Sequence, residues 1–210
     1  MNKFLLVSTA IAISSTAANA ANDWPYWYLG LSGGANYQTD GDWDVNNGGG
    51  SGEFNYRTGW IGNASLGYKP HNTGSFFDST RVELEGSYRS QSIDGAAGDS
   101  YANSKSGALN LYYDFAPETG FNPYLGAGLG IGVFDLSSKN DSGISGKDTQ
   151  PIYQIMAGAG FTFEELPHTE WTIGYRYFAP FSDPETSDAG NKVTYEYDSH
   201  SVEVGGRFRF

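Results

Sequence analysis

A period of two is what most constrains this chain. Stretches of roughly ten residues in which apolar side chains alternate with small or polar ones recur along it, the pattern of strands with one apolar face. In YWYLGLSGGANY, Trp27, Leu29, Leu31, Gly33, Ala35 and Tyr37 share one face, and Tyr28, Gly30, Ser32 and Asn36 share the other. Trp60, Gly62, Ala64, Leu66 and Tyr68 alternate with Ile61, Asn63, Ser65 and Lys69. Val82, Leu84 and Tyr88 alternate with Arg81, Glu83, Glu85 and Arg89, and Leu109, Leu111, Tyr113 and Phe115 with Asn110 and Asp114. PYLGAGLGIGV sets Leu125, Ala127, Leu129, Ile131 and Val133 against four glycines. Tyr153 to Phe161 then alternate with Gln154, Met156 and Gly158, and Trp171 to Tyr177 with Thr172, Gly174 and Arg176. The last stretch places Val202, Val204, Phe208 and Phe210 against Glu203, Arg207 and Arg209, which makes eight expected strands.

Alternation also fits a soluble sandwich, so the connections must decide. They are long after the first, third, fifth and seventh strands and mostly shorter after the others, at 70–79, 116–122 and 164–169. The long ones are rich in Gly, Asn, Asp and Ser and hold most of the surplus acid. Aromatics gather near strand ends, as at Trp24, Tyr26, Trp27, Tyr68, Tyr113, Phe115, Trp171 and Phe210. This asymmetry and these girdles predict an all-β transmembrane fold, an eight-stranded antiparallel up-and-down barrel with short periplasmic turns and long extracellular loops. Closure is the way strands span lipid without exposed edges.

The first residues, MNKFLLVSTAIAISSTAANA, carry Lys3, an apolar run from Phe4 to Ile13 and the small-residue ending Ala18-Asn19-Ala20. That order is a secretory signal peptide, and its apolar core falls short of the ~20 residues of a spanning helix. The expected division is therefore residues 1–20 as signal peptide and 21–210 as one outer-membrane barrel domain. A formal net charge of −12 argues against nucleic acid as a partner. With no cysteine, no disulfide framework holds the exported chain.

Several phrases carry a resemblance: Arg81-Val82-Glu83-Leu84-Glu85-Gly86, Asn110-Leu111-Tyr112-Tyr113-Asp114-Phe115, Pro123-Tyr124-Leu125-Gly126-Ala127-Gly128 and Gly174-Tyr175-Arg176-Tyr177. They resemble the eight-stranded OmpA-like and opacity-protein family of Gram-negative outer-membrane proteins, porin-family surface proteins and antigens. The ending, with Glu203, Gly205, Phe208 and Phe210, resembles the C-terminal signal read by the barrel-assembly machinery. The resemblance covers all of the mature chain, and its motifs specify architecture rather than activity. It implies partners in outer-membrane lipids, lipopolysaccharide and the assembly machinery, with roles that include adhesion, structural support and, in some members, narrow pores. The chain ends at the eighth strand, so the soluble peptidoglycan-binding domain of full-length OmpA is not expected.

Function must be argued from lumen and loops, since fold alone does not give it. An eight-stranded barrel is just wide enough for side chains to fill its interior. Parity turns Arg81, Glu83, Glu85, Arg89, Asn110, Asp114, Gln154, Arg176, Glu203, Arg207 and Arg209 inward. Of these, Arg81, Glu83, Glu85, Asn110, Asp114, Arg176, Glu203 and Arg207 form the expected lumen polar network. Both signs of charge in a tight interior favour a structural plug; the alternative is a selectivity constriction or gate. Arg176 and Glu203 lie on adjacent strands at nearly equal height above the strand feet and are expected to pair, with Glu83 or Glu85 joining across the lumen.

The stretch DWDVNNGGGSGE gives Asp42, Asp44, Asn46 and Glu53 the spacing of an EF-hand calcium loop. Asn47 stands where the turning Gly should be, and neither flank begins a helix. The stretch is better placed in a first extracellular loop, Gln38 to Phe54, where diffuse divalent-cation bridging to lipopolysaccharide is the expected behaviour. No cofactor is expected. An enzyme would need a base beside a nucleophile. His71 and His168 fall in turns, and His200 adjoins Ser201, so those two point to opposite faces. The expected function is a non-enzymatic surface barrel, structural and interacting through its loops, with adhesion to a host-surface ligand among its roles. The alternative is a narrow porin-like channel.

Overall fold

The computed structural model describes residues 25–39, 41–45, 50–54, 58–70, 76–92, 101–116, 120–137, 145–188, 191–195 and 197–210. The expected signal peptide lies outside them. The barrel is built from β1 (Tyr26–Gln38), β4 (Gly59–Lys69), β5 (Thr80–Ser92), β6 (Tyr101–Asp114), β7 (Phe121–Ser137), β8 (Ser145–Thr162), β9 (Thr169–Pro180) and β12 (Ser199–Arg209). Each strand pairs antiparallel with its sequence neighbour in the barrel, and β1 closes the ring by pairing with both β4 and β12. The seam is tight at the chain end, where the Phe210 amide donates to the Trp27 carbonyl at 3.0 Å. Closure leaves no unpaired edge in lipid.

The side chains invert the arrangement of a soluble domain. Leu31, Leu84, Leu109, Leu129, Ile131 and Val204 point outward and are 60–63% exposed, as a lipid-facing band requires. Arg81, Arg89, Asn110, Asp114 and Gln154 point inward and are at most 2% exposed. Period-two geometry produces this sorting directly, since one side chain in two must face the lumen.

The inner face of β7 carries Gly126, Gly128, Gly130 and Gly132. Their missing side chains make room for those of β6 and β8. A Cβ on Gly128 would strike Asn110 Oδ1 and press on Gln154 Cγ. The Gly-rich strand is therefore the thin wall against which the lumen packs.

The extracellular side is more structured than its composition suggests. Strands β7 and β8 run 17 and 18 residues, well beyond the ~9–11 needed to cross a membrane. Their polar outer stretches remain paired to each other as far as Ser137 and Ser145. Above the barrel, β2 (Gly41–Val45), β3 (Gly50–Phe54), β10 (Glu185–Asp188) and β11 (Asn191–Tyr195) form a second sheet in the order β10-β11-β2-β3. The first and last long loops are thus hairpins joined through the β11–β2 pairing of Val193–Tyr195 with Trp43–Val45. The extracellular loop expected from Gln38 to Phe54 is therefore built largely of the paired strands β2 and β3. Backbone pairing between two loops satisfies groups that a lone Gly-rich loop leaves to water.

The same hairpin bears on the calcium-like spacing. Asp42 and Asp44 lie in β2 and Glu53 in β3, with Asp42 opposite Glu53 in register, while Asn46 lies outside the described residues. Among the described residues the one helical turn is the 3-10 segment Phe76–Ser79 on the opposite side of the barrel. An extended hairpin is not the tightly wound loop between two helices that an EF-hand uses.

Candidate functional site in the barrel lumen

The lumen is filled in tiers. At the periplasmic end, β4 supplies Lys69, β5 supplies Arg81 and β6 supplies Asp114. Lys69 Nζ lies 2.5 Å from Asp114 Oδ2, and Arg81 Nε lies 3.0 Å from Asp114 Oδ1. Arg81 also pairs with Glu83, which accepts a 2.6 Å hydrogen bond from Tyr28 Oη. Opposite, Arg207 Nη1 lies 2.9 Å from Glu170 Oε2. Aromatic faces complete the tier, with the Arg81 guanidinium 3.9 Å from the Tyr112 ring centroid and that of Arg207 4.9 Å from Tyr124. Stacking on rings and pairing with carboxylates together replace the water these cations lose.

Mid-lumen, Arg176 on β9 is the hub. Its Nε donates to Glu203 Oε1 at 2.8 Å, its Nη2 donates to Glu85 Oε2 at 2.9 Å, and its Nη1 lies 2.5 Å from Glu85 Oε1. Nη1 also donates to Gln154 Oε1 at 2.9 Å, and Gln154 in turn donates to Asn110 Oδ1 at 2.7 Å. Glu203 accepts further from Asn63 Nδ2 and Ser201 Oγ, each at 2.8 Å. The register puts Arg176 opposite Ser201 and Glu203 opposite Gly174, so the pair is diagonal and the long guanidinium spans the offset. Glu85 reaches it from β5, across the barrel.

Between these two tiers lies a cavity of about 60 Å³, lined among others by Asn63, Glu83, Glu85, Arg176, Glu203 and Arg207. That is room for roughly two waters. A space of about 10 Å³ remains below it, beside Lys69, Arg81 and Asp114.

The outer tier differs in kind. Ala108, Phe134, Ile152, Phe178 and Tyr197 make a buried apolar cluster inside the barrel, and Tyr197 stacks edge-on to Phe134 with ring centroids 4.8 Å apart. Arg89 packs beneath it, its guanidinium 3.7 Å from the Phe178 ring centroid.

Sequence reasoning passed over several lumen residues. Lys69 and Glu170 sit at strand feet, where membership of the inner face is hardest to judge, although Lys69 has the parity of Asn63. Phe134 shares the parity of the inward glycines, the signal by which it could have been found. Tyr197 lies beyond any alternating run and left no signal. Of the assembly-signal residues, Glu203 is inside the lumen, and Phe208 and Phe210 face outward at 45% and 59% exposure. His200 lies on the outer face, where Tyr175 Oη is 2.6 Å from its Nδ1, while Ser201 is buried inside. His168 lies in the turn before β9, and His71 is outside the described residues.

A closed eight-stranded ring with an ionic interior and an apolar exterior defines an outer-membrane β-barrel. A family model described as outer membrane protein beta-barrel domain matches residues 5–208, and the chain belongs to that family and to the outer membrane. Its fold is similar to that of the outer membrane protein OprG from Pseudomonas aeruginosa, at 18% identity over 90% of this chain and 97% of that one, with a TM-score of 0.64. It is also similar to Neisserial surface protein A, at 18% identity over 88% and 97% with a TM-score of 0.52. AlkL, solved in lipid bilayers, shares 13% identity over 93% and 95% with a TM-score of 0.55. At such identities the likeness concerns fold alone. No curated protein matches the chain in sequence.

Proposed function

We propose that this protein is a non-enzymatic, plugged barrel that presents its extracellular loops as an interaction platform, with adhesion to a host-surface ligand as its surface role. The observation that carries the reading is the Arg176 hub. One guanidinium on β9 binds carboxylates from β5 and β12 at once, and so ties opposite walls of the lumen together. Solutes would have to break at least two buried ion pairs to pass. The second loop-level sheet supports the platform, since a paired surface presents a fixed shape where a lone Gly-rich loop does not. Outside the lumen, lipopolysaccharide is the proposed neighbour of the acidic loops, bridged by divalent cations. Residues 1–20 are proposed as the export leader and 21–210 as the barrel domain, with Glu203, Gly205, Phe208 and Phe210 as the contact for the assembly machinery.

The alternative, a narrow porin-like channel, makes the same residues a constriction. Planar-bilayer recording of the purified barrel separates the two. A plug gives no steady current at moderate voltage, and Glu85→Ala with Arg176→Ala opens one. A steady, single-valued wild-type conductance would overturn the plug.

A further inference from the structure

Four buried lumen cations have a carboxylate beside them: Lys69, Arg81, Arg176 and Arg207 each lie within 3.0 Å of one. Arg89 does not. It is 0% exposed, and among the described residues no carboxylate lies within ion-pair distance of it. Its Nη1 donates to Ser87 Oγ at 3.0 Å and to Ser106 Oγ at 3.2 Å. Among the described residues its Nε and Nη2 have no partner. Those two nitrogens form one edge of the guanidinium, the fork whose two parallel N–H bonds match the two oxygens of a carboxylate.

Other side chains of the outer lumen are in the same condition. Gln91, two residues along the same inner face of β5, is 1% exposed and its amide is unpartnered. Asn36, 0% exposed, accepts from Ser199 Oγ at 2.7 Å through Oδ1, which leaves its Nδ2 unpartnered. Gly59 of β4 stands between the two. It stands opposite Asn36 in register, and a Cβ on it would collide with Gln91 Cγ. Gln38, two residues beyond Asn36 on the same face, likewise has both side-chain polar atoms buried and unpartnered. Buried polar atoms left empty in this number, the Gln91 and Gln38 side-chain oxygens included, are rare in native proteins and call for a partner. Beside an unpaired buried cation, that partner should carry negative charge.

We propose that the outer half of the lumen is a binding site for a small carboxylate, received by the Nε–Nη2 edge of Arg89 and by the side-chain amides of Asn36 and Gln91. The Phe178 ring fixes the plane of the guanidinium, and the serine hydroxyls hold its other corner, so the fork is oriented before the ligand arrives. Such a site lies above the Arg176 hub and beneath the apolar cluster of Phe134, Phe178 and Tyr197. It goes beyond the plug-and-platform reading and stands whether or not the lumen conducts.

The test uses the full mature barrel, refolded into micelles in the presence of the anion so that entry is not limiting. Sodium formate is titrated at constant ionic strength against sodium chloride, with isotope-labelled formate followed by equilibrium dialysis and the Arg89 Nε–H resonance by NMR. One saturable formate per chain with a shift of that resonance is expected. Arg89→Met should abolish binding and Gln91→Leu, which keeps the charge, should weaken it roughly tenfold or more. If Arg89→Met does not fold, the Gln91→Leu titration and the wild-type resonance decide. Absence of saturable binding would mean that water fills the site and would overturn the proposal. So would unchanged affinity in either variant, or chloride competing as well as formate, which would deny the two-oxygen fork.

Discussion

Removing Arg176 should be the most damaging single truncation in the mid-lumen, and the structure says why it should exceed loss of its partner. Arg176→Ala leaves two carboxylates, Glu85 and Glu203, which are 5% and 7% exposed, facing the same void without a cation. Breaking a buried pair in this way costs about 3–5 kcal/mol, and two stranded acids place the expectation at the upper end. Glu203→Ala is milder. Arg176 keeps Glu85 through two contacts of 2.5 and 2.9 Å and keeps Gln154, so the loss is about 1.5–3 kcal/mol, the worth of charge-assisted hydrogen bonds. In the double variant one of the two stranded acids is gone, and the combined loss should fall short of the sum by about 1–3 kcal/mol. The assay is urea unfolding of the refolded barrel from lipid vesicles, followed by fluorescence of its five tryptophans. Single-variant losses below about 0.5 kcal/mol, with additivity, are what solvent-screened pairs would give. That result would refute a dry, tied lumen.

Three further outcomes follow from other parts of the barrel. Tyr28→Phe removes the hydroxyl that donates to Glu83 and accepts from Arg81, and should lower stability by about 1.5–3 kcal/mol in the same urea assay. Gly128→Ala pushes a methyl into Asn110 and Gln154 and should destabilise by about 1–3 kcal/mol, whereas Gly86→Ala, which meets nothing within 4 Å, should stay within about 0.5 kcal/mol of wild type; equal effects would contradict the assignment of inner and outer faces. Asp44→Cys with Thr194→Cys, which are register partners between the first and last loops, should form a disulfide in this otherwise cysteine-free chain, because paired antiparallel Cα atoms lie ~4.5–5.5 Å apart; a mobility shift on non-reducing gels reports it, and its absence would deny the joined loop sheet.

How much of this was legible in the sequence depends on how local the deciding physics is. Which side chains face the lumen is a matter of parity, and parity is printed in every strand: Arg81, Glu83 and Glu85 are one face of β5 whatever lies across from them. The barrel itself follows from repeating that pattern with alternating long and short connections. What parity leaves open is depth, since register between neighbours depends on closure of the whole ring. Arg176 and Glu203 read as level from their strand feet to within the stagger of the barrel, and they sit two residues apart in register, an offset that the guanidinium spans. The loops mark the further limit. A Gly-rich stretch such as Gly41–Phe54 has no side-chain period to read, so its strand state is imposed by the backbone of another loop more than a hundred residues away, through Val193–Tyr195. Arg89 shows the same limit from inside the lumen. Its parity is as plain as that of Arg81, but alternation says nothing of whether a carboxylate waits opposite, and that Arg89 is, among the described residues, the buried arginine left without a carboxylate becomes visible only when the walls are brought together.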